Sequence, residues 1–427
     1  MSGGPGPDGY QFRSFRAGSD SHQADKQTTA WLEACALGFQ EPVASRQHLL
    51  ATARAFEDDQ RMLTGVYGTG EPARAWAPAR PVATNASFVE PLNVGCGRSL
   101  DAHLIASVTV RANHRRRGLM REVITADLAA ARAGGLAIAA LGPMEATIYG
   151  RFGFGAATFS RRGEVDTGHR FALSSRPAGS VEVADPAALL AIAPALFDRF
   201  QAQTLGSLRR PASYPAKVAG IWADDNPQPD RRVRAALHYD VAGSIDGYVS
   251  YKVLPWVAEP RTIEILDIIW VAPSAYFGLW DFLASIDLVT TVRFGCAAMA
   301  DRRGFKVTGE DDGLWLRILD PVVALEARSY EADGQVRIAL TDPLGIAGGV
   351  FALSVRDGTA VVTPDETKDA TADVSMGVAA LGSLYLGGVG VDTLARSGQV
   401  TSTSRAALDT LGALLGHREQ PYCVTHF

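Results

Sequence analysis

The stretch Val108-Thr109-Val110-Arg111-Ala112-Asn113-His114-Arg115-Arg116-Arg117-Gly118-Leu119-Met120-Arg121 decides how the rest of the chain is read. Its first residues close a β-branched segment, Leu104 to Val110, and the apolar positions Leu119, Met120, Val123, Ile124 and Leu128 then recur at helical spacing. Between strand and helix lies a loop dense in arginine that ends on a glycine. Unpaired backbone N–H groups at a helix N-terminus, together with the helix dipole, form a ready site for a phosphate or pyrophosphate. Arginine adds charge-assisted, often bidentate contacts, and Gly118 permits close backbone approach. A run of arginines alone reads as a solvated basic loop. Strand, R-x-x-G spacing and an immediate apolar helix together read as an anion-binding α/β junction.

Working outward, Met1 to Gly9 is Gly/Pro-rich and polar, with no basic region followed by an apolar stretch, so residues 1–22 read as a flexible tail without a secretory signal. From Asp25 to about Ala55 the residues Trp31, Leu32, Ala34, Cys35, Leu37 and Phe39 predict two helices interrupted at Pro42, followed by strands over Met62 to Tyr67 and Arg80 to Val89. Beyond the arginine loop and its helix come a short apolar strand, Leu136 to Leu141, and a helix or turn, Thr147 to Phe152. Residues 23–172 form a first α/β domain on this reading. A second, 173–312, holds a helix from Pro186 to Gln203, a polar insert from Ala223 to Asp230, strands over Arg234–Tyr239, Gly247–Val253 and Thr262–Val271, and a helix from Ser274 to Leu288. Laying Ile268-Ile269-Trp270-Val271 over Ser107-Val108-Thr109-Val110 brings Phe277-Gly278-Leu279-Trp280 beside Arg117-Gly118-Leu119-Met120 after a one-residue gap, a faint internal repeat. The second copy carries Pro273, Ser274, Ala275 and Tyr276 where the first has His114, Arg115, Arg116 and Arg117; if it is a duplicate, it has lost the anion site. Residues 313–427 have a third pattern: a strand Leu314–Leu319, a helix Pro321–Ala327, alternating segments at Gln335–Thr341 and Gly349–Val355, and the hairpin signal Arg356-Asp357-Gly358-Thr359. Helices Gly377–Tyr385 and Ser404–Leu414 and an extended end, Tyr422 to Phe427, complete it.

A chain of 427 residues is long enough for nearly three domains. Its 47% apolar and 20% charged content is that of a globular protein. A net charge of −5 provides no overall field for nucleic acid. Of 41 cations five are lysines and 36 arginines, a bias of GC-rich coding rather than of function. The longest uncharged run, between Asp373 and Asp392, is broken by five glycines and reads as a buried helix with a loop, not a membrane span. Cys35, Cys96, Cys296 and Cys423 are scattered without a C-x-x-C pair, and the eight histidines lack an H-E-x-x-H spacing. Neither a disulfide framework nor a metal site is expected, and a reducing cytoplasm fits.

The loop meets the R/Q-x-x-G-x-G/A pattern of GCN5-related N-acetyltransferases (GNAT) at Arg115-x-x-Gly118, with Met120 in place of the last small residue. The wider chain resembles one subfamily, the Eis (enhanced intracellular survival) acetyltransferases of actinobacteria. The resemblance rests on His114-Arg115-Arg116-Arg117-Gly118-Leu119-Met120-Arg121, on Ile148-Tyr149-Gly150-Arg151-Phe152-Gly153-Phe154-Gly155, and on the terminal Phe427. It implies an α/β (α+β) fold of tandem GNAT-like mixed sheets flanked by helices, the second domain being degenerate, followed by a sterol-carrier-protein-like α+β domain. It also implies acetyl-CoA as cosubstrate, contacting Val108, Thr109 and Val110 along the strand, Arg116, Arg117, Gly118, Leu119, Met120 and Arg121 around the pyrophosphate, and Met144 and Glu145 after the next strand. Tyr149 would be the general acid and the Phe427 carboxylate the general base.

Both roles make chemical sense. An amine arrives as ammonium and must lose a proton before attack, and the departing thiolate must gain one. The resemblance further implies aminoglycosides or similar polyamines as acceptors and a homohexamer of two trimers. Glu41, Ser107 and His426 are the candidate acceptor-pocket positions, with Glu41 supplying the negative charge that a polycation favours. Two other readings use the same chain: a protein lysine acetyltransferase with the same machinery, and a lipid or sterol carrier whose first domain is a relic.

Overall fold

The computed structural model describes residues 9–69, 76, 79–168, 171–173, 176–222, 229–255, 260–297, 305–365 and 371–427. The expected tail segment 1–8 and most of the expected polar insert, residues 223–228, lie outside the described residues. The chain forms two compact units, one of Met1–Thr158, Leu208–Ala212 and Asp312–Phe427, the other of Phe159–Ser207 and Ser213–Asp311. Among the described residues no helix is long and apolar enough to cross a membrane.

The first unit begins with β1 (Tyr10–Arg16), α1 (Lys26–Phe39), α2 (Arg46–Asp58), β2 (Met62–Gly68), β3 (Ala83–Gly95) and β4 (Arg98–Val110). It continues through α3 (Leu119–Ala133), β5 (Ile138–Leu141), α4 (Ala146–Tyr149) and β6 (Gly155–Ala156). The helices start where the side chains allow it. Asp25 caps α1 by accepting from Thr28 N, and Ser45 caps α2 by accepting from His48 N. Trp31 on α1 is fully buried and donates its indole N–H to the Thr64 carbonyl at 2.9 Å, which seats the helix on the sheet. Helix α3 buries Leu119, Val123, Ile124, Leu128 and Ala131, the apolar stripe read from the sequence.

Two observations revise the expected layout. Residues 10–16 are not tail: β1 pairs antiparallel with β2 from Tyr10↔Gly68 to Arg16↔Met62. The Gly/Pro-rich composition ahead of Tyr10 masks a short edge strand whose Tyr10, Phe12 and Phe15 are half-buried. Two strands also fall in sheets other than those of their expected domains. Trp315–Ile318, expected in the third domain, lies in the first sheet, whose order is β1-β2-β3-β4-β5-(Trp315–Ile318)-β6. Phe159–Asp166, expected in the first domain, pairs with Thr291–Ala297 in the sheet of the second unit. All four residues of Trp315–Ile318 are buried, and β5, itself four residues long, needs a partner on its far edge.

The second unit repeats the strand–helix–strand crossover. Thr262–Trp270 runs through helix Pro273–Ala284 to the parallel strand Thr291–Ala297, as β4 runs through α3 to β5. The remainder of the first unit is a five-stranded sheet of Thr359–Pro364, Gly349–Arg356, Gly334–Thr341, Val374–Gly377 and Val400–Ser402, with its helices. The expected hairpin is present, with Asp357 and Gly358 at φ 51° and 72°. Helix Val378–Leu384 approaches the first sheet closely: a Cβ on Gly382 would lie 2.2 Å from the Leu316 carbonyl oxygen.

Candidate active site

Strand β4 pairs in parallel with β5 only from Ala102↔Ile138 to Leu104↔Ala140 and then runs on alone to Val110. The two strands diverge, leaving the backbone of Val108 to Val110 without a β5 partner. On its other edge β4 bulges against β3, with Thr84 opposite Thr109 and Ala86 opposite Ala106. Ser107 absorbs the bulge at φ 54°. The bulge is held by the Thr84 hydroxyl, which donates to the Ser107 carbonyl at 2.9 Å and lies 2.7 Å from the Thr109 hydroxyl. Helix α1 comes close enough that a Cβ on Gly38 would lie 2.4 Å from Thr109.

The chain then turns through Arg111–Gly118 into α3, with Arg116 at φ 61° and Gly118 at φ 77°. A Cβ added at Gly118 would meet no atom within 4 Å. The glycine borders open space at the helix N-terminus, the cradle that a phosphate requires. The arginines divide by role. Arg117 donates to the Tyr10 hydroxyl at 2.8 Å and to the Asn113 carbonyl at 3.2 Å, while Arg115 Nε donates to the Val110 carbonyl at 3.3 Å. Among the described residues Arg116 and Arg121 are exposed and meet no protein acceptor, so these two guanidinium groups face solvent and are available to an anion. Donor groups, open space and charge therefore fit the pyrophosphate of a CoA thioester.

A cavity of about 810 Å³ joins these parts. It is lined by Val108, Thr109, Val110, the run Arg115 to Arg121, Glu145 and Tyr149, so the structure brings most of the expected cosubstrate positions together. Tyr149 ends α4, its ring edge-on to Phe154 at 6.3 Å and 77°, and burial raises its phenol above the ordinary 10.0. Met144 is 86% exposed and lies outside that lining.

The acceptor-side candidates also fall outside that lining. Glu41 is exposed just past the left-handed Gln40 that ends α1, two residues beyond the lining residue Phe39. Ser107 is half-buried at the bulge, beside Cys35, whose thiol is pushed up to about 12 by burial. The chain end is docked. Cys423, Val424 and Thr425 are buried, the Thr425 hydroxyl donates to the Leu208 carbonyl at 2.7 Å, and the Phe427 ring stands edge-on to Phe88 at 5.7 Å and 85°. Phe88, Ala86 and Thr84 alternate on one face of β3, so Phe427 sits on the face that carries Thr84, whose hydroxyl bonds Thr109 in the cavity. His426 is exposed. The sequence reading missed Gly38, Phe39, Pro343 and Leu344 as lining residues. A glycine near the end of a buried helix was a usable signal for the first. The last two come from a distant loop and had none.

Known proteins share the domain make-up of this chain. The profile of the acetyltransferase (GNAT) domain matches residues 22–157, that of a second acetyltransferase (GNAT) domain family matches 206–318, and that of the sterol carrier protein domain matches 321–424. The chain is 33% identical over 428 residues to an uncharacterised N-acetyltransferase of Streptomyces avermitilis, covering 95% of this chain and 97% of that protein. It is 32% identical over 325 residues to the N-acetyltransferase Eis of Mycobacterium tuberculosis, covering 72% and 76% of the two chains. The crystal structure of Eis1 from Mycobacterium abscessus superposes with a TM-score of 0.71 at 27% identity, over 86% of this chain and 90% of that one.

Proposed function

The chain belongs to the Eis family of acetyl-CoA-dependent N-acetyltransferases, and from that premise we propose that it acetylates amines of aminoglycosides or similar polyamines, with Tyr149 as general acid and the terminal carboxylate of Phe427 as general base. The observation that carries the proposal is the single cavity in which diverging strands, the Gly118 cradle, the free Arg116 and Arg121, and the Tyr149 phenol meet.

Acetyl-CoA brings an activated acetyl thioester; the chain does the rest. Val108 to Val110 offer strand-edge hydrogen bonds to an extended amide arm, and the α3 N-terminus with Arg116 and Arg121 takes the pyrophosphate. The acceptor amine loses a proton to the Phe427 carboxylate, directly or through a water. Tyr149 gives its phenolic proton to the departing thiolate. Burial keeps that phenol protonated at neutral pH, the form an acid must have. Glu41, next to the end of α1, offers negative charge to a polycationic acceptor. The second GNAT-like domain, with Pro273, Ser274, Ala275 and Tyr276 in place of the arginine loop, transfers no acetyl group of its own.

A thiol-release assay with acetyl-CoA and a panel of aminoglycosides, lysine peptides and polyamines tests the proposal. Tyr149→Phe and deletion of Phe427 are expected to lose turnover by about 100- to 10,000-fold. Full activity in the deletion variant would remove Phe427 as base. Release with lysine peptides alone would replace the small-molecule acceptor with a protein.

A further inference from the structure

Behind the cavity lies a buried ion pair. Arg317, in the strand Trp315–Ile318, donates Nη2 to both carboxylate oxygens of Asp342 at 3.0 and 2.8 Å, and both side chains are 0% exposed. The partners hold two different pieces of chain. Asp342 follows the strand Gly334–Thr341 and accepts backbone N–H bonds from Leu344, Ile346 and Ala347 at 3.0, 2.9 and 2.8 Å, which closes the loop from 342 to 347. The Arg317 Nη1 donates to the Phe152 carbonyl, three residues after Tyr149. The fit there leaves no slack, because a Cβ on Gly153 would lie 1.9 Å from that nitrogen.

Both pieces face the same cavity. Phe152 lines it beside Tyr149, and Pro343 and Leu344 line it from the loop. Leu344 and Ile346 pack on the apolar cluster that also receives Val108, Met120 and Tyr149. Burying two charges is costly, and apolar replacements of similar volume are commonly neutral for stability. Stability alone therefore gives the pair little reason to be ionic. What an ionic pair with directed hydrogen bonds adds is fixed geometry between the Tyr149 turn and the 342–347 loop.

We propose that the Asp342–Ala347 loop is a wall of the acetyl-CoA site, with Pro343 and Leu344 packing against the cosubstrate, and that Arg317 and Asp342 are positioning residues that set Tyr149 through the Phe152 carbonyl. The catalytic cavity is then shared between the N-terminal GNAT domain and the sterol-carrier-like domain. This rests on the cavity being the acetyl-CoA site.

Calorimetric titration of CoA into the full chain separates the two claims. If wild type binds no CoA, the assignment of the cavity fails. If wild type binds, Leu344→Ala is expected to weaken CoA by about 5- to 50-fold through lost apolar contact, and unchanged affinity overturns the wall. The double replacement Arg317→Met with Asp342→Leu removes the ions while keeping volume. It also leaves the Phe152 carbonyl and the Leu344, Ile346 and Ala347 N–H groups without these partners, so Tm is expected to fall; assayed well below its melting range it should lose at least about tenfold in kcat, since misplacing an acid by an ångström is enough to do so. A double variant that folds and retains kcat refutes the positioning role. Should it not fold, Arg317→Lys, which keeps a positive charge opposite Asp342 but not the Nη1 hydrogen bond to the Phe152 carbonyl, carries the same kcat comparison.

Discussion

Replacing Gly118 by alanine separates what the backbone at the head of α3 costs from what it binds. Gly118 stands at φ 77°, where an L side chain is strained by about 1–2 kcal/mol. Gly135, just past the other end of the same helix, stands at φ 87°, and an added Cβ at either position meets nothing within 4 Å. Alanine at either site should therefore destabilise the fold by the same 1–2 kcal/mol, about, and lower Tm by a few degrees. The sites differ in one respect: Gly118 lines the cavity and Gly135 does not. A Cβ at Gly118 occupies the space through which an anion reaches the helix N–H groups. Losing one charge-assisted hydrogen bond there is worth roughly 1.5–3 kcal/mol, about 10- to 100-fold in the KM for acetyl-CoA. Thermal melts and steady-state kinetics on both variants check this. Equal losses of Tm with equal, unchanged KM would refute the assignment of the pyrophosphate to the α3 N-terminus.

Three further outcomes are expected. Burial holds the Tyr149 phenol above 10.0, so a kcat profile should show no alkaline loss from this group below pH 10, and an alkaline limb above pH 10 should vanish in Tyr149→Phe. Burial and the neighbouring Arg328 cation hold His417 below the ordinary 6.5 despite Glu331, and its Nε2 faces Arg328 at 2.8 Å as an acceptor. The unfolded chain then takes up the proton first as pH falls through 6.5, so stability is full above that value and declines below it; His417→Gln, which still offers an acceptor, should flatten the acid limb of Tm against pH. Burial raises the Glu90 carboxyl to about 7 against the opposing pull of Arg209, so the unfolded chain ionises first as pH rises from 4.5 and stability falls between there and about pH 7. Glu90→Gln should consequently raise Tm at pH 8 and leave it unchanged at pH 4, and a loss at pH 8 would show that the Arg209 contact outweighs burial.

The legible parts of this chain are those whose causes are local. Strand β4, the arginine loop and α3 follow one another in sequence, and their periodicity, loop composition and glycine act on immediate neighbours. Helix Pro321–Ala327 was readable because proline opens it and Asp320 accepts from Val322 N and Val323 N. The hairpin at Asp357-Gly358 was readable for the same kind of reason. Strand β1 was not, since seven edge residues after a Gly/Pro-rich run bury too little to show a pattern. Nor was the placing of Trp315–Ile318 between β5 and β6, because a buried strand states that it needs partners and not which ones. The cavity wall at Pro343 and Leu344 was hidden behind the same fact, as Arg317 meets Phe152 across 165 positions of sequence.

That strand changes how the terminal third should be understood. With Trp315–Ile318 hydrogen-bonded to both β5 and β6, the chain that follows it starts from inside the first sheet rather than from a linker. Helix Val378–Leu384 is then pressed onto the same strand, with no room for a side chain at Gly382. From there the last residues need only return along the sheet, where Leu208 receives Thr425 and Phe88 receives Phe427. Residue 427 is thus held on a fixed path and not on a loose tail, as the proposed base requires. One glycine appended after Phe427 leaves that path and the ring packing intact while moving the carboxylate by about 3.5 Å. Such a variant should melt with wild type and lose turnover as the deletion does, whereas Phe427→Ala, which keeps the carboxylate, should lose the aromatic pair's about 0.5–1.5 kcal/mol in addition to the ring's burial and retain more activity. If the extended chain turns over normally, the proton leaves the amine by another route.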